Sequence, residues 1–171
     1  MGTSRILALC AALACLALSG CASITEVKPG TPIAEVEKQF GKPTTICPLP
    51  DGGQRMVWSQ QPSGQYAWGT NVNAAGQVGP IVQLLDDREF DKLREGVWTP
   101  ERVLCEFGPP EDISKVGLPS HLKIVWSYRY RQYNTWYMLM YVFFGTDGKQ
   151  VTEHYPGPDP WYLYDDGGGW R

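Results

Sequence analysis

Apolar residues along this chain recur with two different periods, which predict two kinds of element. In TPIAEVEKQFG, residues 31–41, they are three and four positions apart, so this segment is predicted to be a helix. The threonine is its predicted N-cap and the glycine its end. TPERVLCEFG, residues 99–108, has the same pattern. In QYAWGTNV and KIVWSYRY, residues 65–72 and 123–130, apolar and polar side chains alternate, which predicts strands.

The same order of elements occurs twice in the chain. RMVWS at residues 55–59 recurs as KIVWS at residues 123–127, and Trp68 recurs as Trp136, each 68 positions later. The helical pattern described above recurs with nearly the same offset. Matches that keep their register over such a length indicate an internal repeat of one supersecondary unit.

Each repeat unit, residues 27–85 and residues 86–160, is predicted to have one or two short helices packed on a three-stranded antiparallel meander. The fold class is therefore α+β. The third strands are predicted at about residues 78–84 and 150–155, and the second unit has an extra short helix in residues 86–96. The open edges of each meander leave room for the two sheets to join into one continuous sheet.

TWYMLMYVFF, residues 135–144, is apolar at nearly every position, so it does not alternate. It is predicted to be a central strand, covered by helices on one face and by loops or the sister unit on the other. In the alternative interpretation, one face stays exposed for a protein partner. The candidate binding residues in that case are Tyr137, Leu139, Tyr141 and Phe143.

The first 20 residues are typical of a bacterial signal peptide. Arg5 precedes an apolar run at residues 6–18. That run is shorter than the roughly 20 residues needed to span a bilayer, but it suits the apolar part of a signal. It leads to LSGC, residues 18–21, which resembles the lipobox of lipoproteins. The resemblance implies that residues 1–20 are removed and that Cys21 carries lipid, whereas the alternative is an ordinary signal with a chance cysteine.

The lipoprotein resemblance also implies a cellular location for the protein. Residues 21–26 are predicted to be a lipidated linker. Ala22 and Ser23 follow the cysteine. An aspartate there implies retention in the inner membrane of Gram-negative lipoproteins, so its absence implies the outer membrane. The expected partners are thus the membrane, through the lipid, and a protein of the envelope.

Charge and cysteine content narrow the function further. The formal net charge is −3 and becomes −4 when Arg5 is removed, which argues against a nucleic-acid partner. Cys47 and Cys105 remain beside Cys21 in an oxidising compartment, and we predict that they form a disulfide. The alternative is two separate buried thiols.

We find no candidate catalytic or metal-binding residues in the sequence. His121 and His154 have no cysteine or carboxylate at the spacing of a zinc site, and neither a nucleophile elbow nor a phosphate loop is present. No cofactor is expected. We predict a non-enzymatic protein with a mobile C-terminal tail at residues 161–171.

Both units resemble the SmpA/OmlA (BamE-like) envelope lipoproteins in a motif of a helix ending in Phe-Gly-x-Pro before a strand with tryptophan. The carriers of the motif are Gly30, Thr31, Val36, Phe40, Gly41, Pro43 and Trp58 in the first unit, and Gly96, Val103, Phe107, Gly108, Pro110, Trp126, Gly148 and Val151 in the second. The tandem arrangement is also similar to that of the two-unit β-lactamase inhibitory proteins.

The BamE-like resemblance implies an outer-membrane lipoprotein that acts as a scaffold or accessory protein-binding module. The alternative is a periplasmic inhibitor or ligand-binding module that uses a concave aromatic sheet. A third hypothesis, a hydrolase with an unrecognised site, has no motif in its support.

Overall fold

A computed structural model of the chain describes residues 23–163, which form short helices and two antiparallel sheets. The helices are α1 Ile33–Phe40, α2 Asp87–Phe90, α3 Pro100–Phe107 and α4 Pro160–Leu163, with 3-10 turns at Ile24–Glu26 and Asp91–Arg94. The strands are β1 Thr45–Pro48, β2 Gln54–Ser59, β3 Ala67–Val72, β4 Val82–Gln83, β5 Asp112–Val116, β6 Lys123–Gln132, β7 Trp136–Phe144 and β8 Val151–Pro158.

The strands form sheet 1, in the order β1-β2-β3-β4, and sheet 2, in the order β5-β6-β7-β8. The predicted α+β class and two-unit architecture are confirmed. Each sheet has four strands instead of three, because the chain after each helix returns as an edge strand: Ile46 pairs with Met56, and Ile113 with Trp126. These edge strands are short and contain no buried residue, so the sequence pattern did not identify them.

Helix α3 lies between the two sheets and contacts both. Its Val103 and Phe107 are fully buried in a main core that also takes side chains from sheet 1 and sheet 2. The residues from the sheets and their connections are Val57, Ala67, Leu84, Leu85, Tyr128, Tyr130, Met140, Val142 and Phe144. Among residues 23–163, no strand of one sheet is hydrogen-bonded to a strand of the other. The two sheets therefore do not join into the one continuous sheet for which their open edges left room.

A small core lies on the opposite face of sheet 1. Helix α1 contributes Val36 to it, and β2 contributes Met56 and Trp58, the neighbours of the Val57 that faces α3. Sheet 1 is thus covered on both faces, by α1 and by α3. Ile24, from the segment expected to be a linker, is also buried in this core at 7% exposure.

The ends of α1 and α3 show how closely the two units correspond. Gly41 and Gly108 follow the helices with nearly the same backbone angles, φ 81° and ψ 178° against φ 81° and ψ −169°. The starts differ. The hydroxyl of Thr99 caps α3 by accepting from the N–H of Arg102 at 3.3 Å, as predicted. The hydroxyl of Thr31 instead donates to the carbonyl of Lys28, so the predicted cap of α1 is wrong.

The physical reason for the missing cap is that the chain before α1 is already engaged elsewhere. The backbone of Thr31 accepts a hydrogen bond from the N–H of Val78 at 3.0 Å, and Pro32 forms a bridge with Gln77. This pairing ties the start of α1 to the hairpin after β3. In the part of the chain that the structure describes, no helix is long and apolar enough to cross a membrane.

Candidate functional site

Sheet 2 has one face in the main core and an outer face turned away from it, and this outer face carries the candidate site. Alternation along β7 places the four predicted binding residues there together. Tyr137 is 40% exposed, while Leu139 and Phe143 are buried at 6% and 7%. Tyr141, between them, is half-buried. The face therefore has an apolar floor, with Tyr137 exposed at one end and Tyr141 partly exposed in the middle.

Tyr155 of β8 extends this aromatic surface. Its ring stacks on that of Phe143, with 5.0 Å between centroids, and lies 6.1 Å from that of Tyr141. Tyr155 itself is 49% exposed. Burial raises the pKa of Tyr141, and the nearby carboxylates of Asp159 and Glu111 raise it further. Its hydroxyl accordingly stays protonated at neutral pH and is able to donate a hydrogen bond.

Arg129 lies beneath this surface, on the polar side of β6, and its side chain is only 5% exposed. It donates to the fully buried carboxylate of Asp159, to Glu111 at 3.2 Å and to the carbonyl of Pro62 at 2.6 Å. Burial raises the pKa of Glu111, although the Arg129 charge opposes that shift. The arginine thus joins β6, the C-terminal segment and the loop between β2 and β3.

Gln61 makes the link between the two sheets at this point. Its side-chain amide donates to the carbonyl of Arg129 at 2.8 Å, and its oxygen accepts from the N–H of Arg129 at 3.2 Å. The N–H and the C=O of Arg129 are the groups that a neighbouring strand would hydrogen-bond on this side of β6. Strand β5 starts too late to reach them, since Asp112 pairs with Ser127. One side-chain amide therefore takes the place of a strand where the two sheets meet.

The C-terminal segment completes the rim of the outer face. Tyr162 of α4 stacks on Tyr137 with 3.8 Å between ring centroids, and its hydroxyl accepts from Gln65 at 2.8 Å. The ring of Trp161 lies over Arg129 at 5.0 Å, and Trp161 is 68% exposed. Trp161 and Tyr162, which belong to the described part of the predicted C-terminal tail, contact sheet 2 through Arg129 and Tyr137.

We call this surface the aromatic face; its exposed members are Tyr137, Tyr155 and Trp161. Ring edges and hydroxyls are available for contact, while the charged groups below are paired with one another. Such a surface can bury apolar area and donate a few hydrogen bonds. Nothing in residues 23–163 groups three histidine, cysteine or acidic side chains as a metal would require.

Cys47 and Cys105 form a disulfide in the structure, with 5.8 Å between their Cα atoms. The bond joins β1 of the first unit to α3 of the second. It lines a cleft of about 840 Å³ in which Arg55 and Lys92 both contact Glu106, at 3.3 and 2.9 Å. The cations and carboxylates of this cleft are paired with one another. The cleft therefore offers a ligand fewer unpaired charges and fewer exposed aromatic rings than the aromatic face does.

The predicted disulfide between Cys47 and Cys105 is confirmed. The four candidate binding residues of β7 share one face, but only Tyr137 is exposed among them, and their role in binding stays a prediction. The sequence did not single out Arg129, Asp159 or Trp161, because the arginine is a polar position of an alternating strand, Asp159 belongs to no motif, and Trp161 falls in the predicted tail. Cys21 lies outside the described residues.

Comparison with known proteins adds little to this geometry. The chain matches no protein-family model and no curated protein. A solved structure described as a "putative beta-lactamase inhibitor protein" from Streptococcus mutans is 11% identical, over 80% of this chain and 88% of that chain, with a TM-score of 0.33. A likeness at that level supports no statement about function. The resemblance to SmpA/OmlA lipoproteins stays a hypothesis from the sequence motif.

Proposed function

We propose that this chain is a lipid-anchored, non-enzymatic protein-binding module of the bacterial cell envelope, and that the aromatic face is its binding surface. The observation that carries the proposal is the exposure of Tyr137, Tyr155 and Trp161 on one surface. Tyrosine, tryptophan and arginine are the residues that most often dominate binding energy at protein interfaces.

The aromatic face is preorganised, which favours binding. Tyr137 is stacked on Tyr162 and lies under the guanidinium of Arg131 at 4.3 Å, so its ring has little freedom left to lose. Tyr155 is held on strand β8 by its stacking on Phe143. A surface that is already ordered loses less conformational entropy when a partner binds.

The anchoring part of the proposal rests on the sequence. A lipid on Cys21 would attach the protein to the outer membrane, where it would act as a BamE-like scaffold or accessory subunit. The aromatic face would equally suit an inhibitor of a periplasmic enzyme, as in the alternative hypothesis. The two versions differ in the partner and not in the surface, so identification of the partner separates them.

Site-specific photo-crosslinking in intact cells tests the proposal. A photoreactive phenylalanine analogue is placed at Tyr137 or Tyr155, and, as a control, at Leu118, which is 72% exposed in the β5–β6 turn. We expect one discrete protein adduct from the first two positions and none from Leu118. The adduct should disappear when Trp161→Ala is added to the same chain.

Equal adducts from all three positions, or none from the aromatic face, would overturn the proposed surface. An outer-membrane barrel or its assembly machinery in the adduct would support scaffolding. A water-soluble periplasmic enzyme would support inhibition.

A further inference from the structure

A second concave site, which we call the N-terminal groove, lies beside the first described residues of the chain. It has a volume of about 460 Å³ and is separate from the aromatic face. Its main lining residues are Ser23, Ile24, Phe40, Trp58, Gln60 and Trp68. The groove thus runs between the start of the chain, the end of α1 and the middle strands of sheet 1.

The walls of the N-terminal groove present mainly carbon. The indole N–H of Trp58 is already donated to the carbonyl of Gly41 at 2.9 Å. The hydroxyl of Thr44 donates to the carbonyl of Val57 and accepts from the N–H of Ser59, and the hydroxyl of Ser59 accepts from Gln61. Lys42 and Gln60 add two polar side chains to the lining, but most of the wall is apolar, so the groove suits an apolar chain better than a sugar or another polar ligand.

The start of the fold places one such chain next to the groove. Ile24 is buried in the small core, which fixes the 3-10 turn that it begins, and Ser23 stands at the groove. Cys21 is two residues before Ser23. Two residues span at most about 7 Å, so a lipid on Cys21 would start within that distance of the groove.

We infer that the N-terminal groove receives one acyl chain of the lipid carried by Cys21. This inference rests on the anchoring part of the proposed function. The resemblance of LSGC to a lipobox implies three acyl chains on Cys21, and two chains in a bilayer are enough for stable attachment. One chain is therefore available to the protein without loss of anchoring, and it would fix the orientation of the protein on the membrane.

Photoreactive fatty acid tests this inference in the full-length chain. Bacteria that produce the protein are grown with a diazirine palmitate, irradiated intact, and the protein is purified and digested for mass spectrometry. We expect crosslinked peptides that join the Cys21 peptide to a peptide containing Phe40 or Trp68. Phe40→Gln should abolish these crosslinks. Val97→Gln, which changes an apolar side chain that is 62% exposed outside the groove, should retain them.

The possible failures are distinguishable. If the probe is found on Cys21 but no crosslink reaches the groove, or if the groove peptides carry phospholipid instead, the inference is overturned and the anchoring stands. If the probe is absent from Cys21, both the inference and the anchoring fail. Circular dichroism of the Phe40→Gln protein shows whether lost crosslinks reflect lost folding, and the wild-type crosslink map decides independently of that variant.

Discussion

At the scale of single residues, Arg129 is the group on which most of the aromatic face depends. Its guanidinium pairs with the buried Asp159 and with Glu111, and the ring of Trp161 covers it. Its backbone pairs with Gln61. A buried ion pair need not stabilise a fold relative to apolar side chains, but the loss of one partner leaves the other charge buried without compensation.

We therefore expect Arg129→Met to lower the free energy of unfolding by about 3–5 kcal/mol, the usual cost of breaking a buried ion pair. Arg94→Met is the control, because Arg94 is paired with Asp91 at the surface, with both side chains more than half exposed. Its effect should stay within about 0.5 kcal/mol. Urea denaturation measures both. Equal effects of the two substitutions would show that the loss of Arg129 does not leave a costly unpaired charge on Asp159.

His154 on β8 makes stability depend on pH. Burial lowers its pKa from the ordinary value of 6.5, and the charge of Arg94 lowers it further. The unfolded chain therefore binds a proton at higher pH than the folded chain. As pH falls below 6.5, the unfolded state gains protons first and the free energy of unfolding should decrease.

The measurement is the free energy of unfolding as a function of pH for three proteins. His154→Gln should remove this part of the decrease below pH 6.5. Leu118→Gln, which changes a non-titrating side chain that is 72% exposed in the β5–β6 turn, should keep the wild-type profile. A profile that is unaffected by His154→Gln would contradict the prediction.

At the scale of elements, the ends of α1 and α3 are where sequence reasoning succeeded best. Both helices end at the predicted glycines, whose positive φ with extended ψ is a combination that is nearly restricted to glycine. The surroundings of the two glycines differ. A Cβ on Gly41 would have nothing within 4 Å, whereas one on Gly108 would lie 3.0 Å from Cγ1 of Val57.

Alanine substitutions at Gly41 and Gly108 separate the cost of backbone strain from the cost of crowding in the core. Gly41→Ala should cost about 1–3 kcal/mol of stability, the usual cost of holding a non-glycine residue in this region. Gly108→Ala should cost roughly another 1–3 kcal/mol, because the added methyl group crowds the main core. Thermal unfolding of the two variants measures the difference. Identical losses would mean that Val57 can move aside without cost.

Alternation identifies a strand only where one face is buried and the other is not. β6 alternates clearly, and Tyr128 and Tyr130 are fully buried, as that pattern requires. On the opposite face, the same alternation predicts that Arg129 is exposed, but its side chain is only 5% exposed. The groups that cover it come from Pro62, 67 positions earlier, and from Asp159, 30 positions later. Local periodicity contains no information about such distant coverage, so this part of the site was not predictable.

At the scale of the whole molecule, the sequence repeat does not correspond to two independent domains. α3 belongs to the second unit, but it packs on sheet 1 as well as on sheet 2, and the main core takes residues from both. The repeat agrees with the presence of two similar sheets. How they pack depends on which face of sheet 1 receives α3, and the repeat pattern does not specify this.

The disulfide should reinforce this shared packing. Cys47 and Cys105 are 58 positions apart, for which the loop-closure model gives a contribution of about 4 kcal/mol. We expect Cys47→Ser with Cys105→Ser to lower the free energy of unfolding by up to that amount, while unfolding stays one cooperative transition. Reduction of the wild-type protein should have a similar effect, and the double variant should not respond to reductant. Two separate transitions would indicate that the units fold independently.

The burial of Ile24 determines how an anchored molecule would search for its partner. With the fold beginning so close to Cys21, there is almost no tether, and the protein could neither swivel far nor extend away from the bilayer. A globular chain of this size has a radius of gyration of roughly 15 Å, so encounters would be confined to a thin layer above the membrane. A partner in the same membrane would meet it by lateral diffusion at high effective concentration. A partner dissolved in the compartment would gain no such advantage.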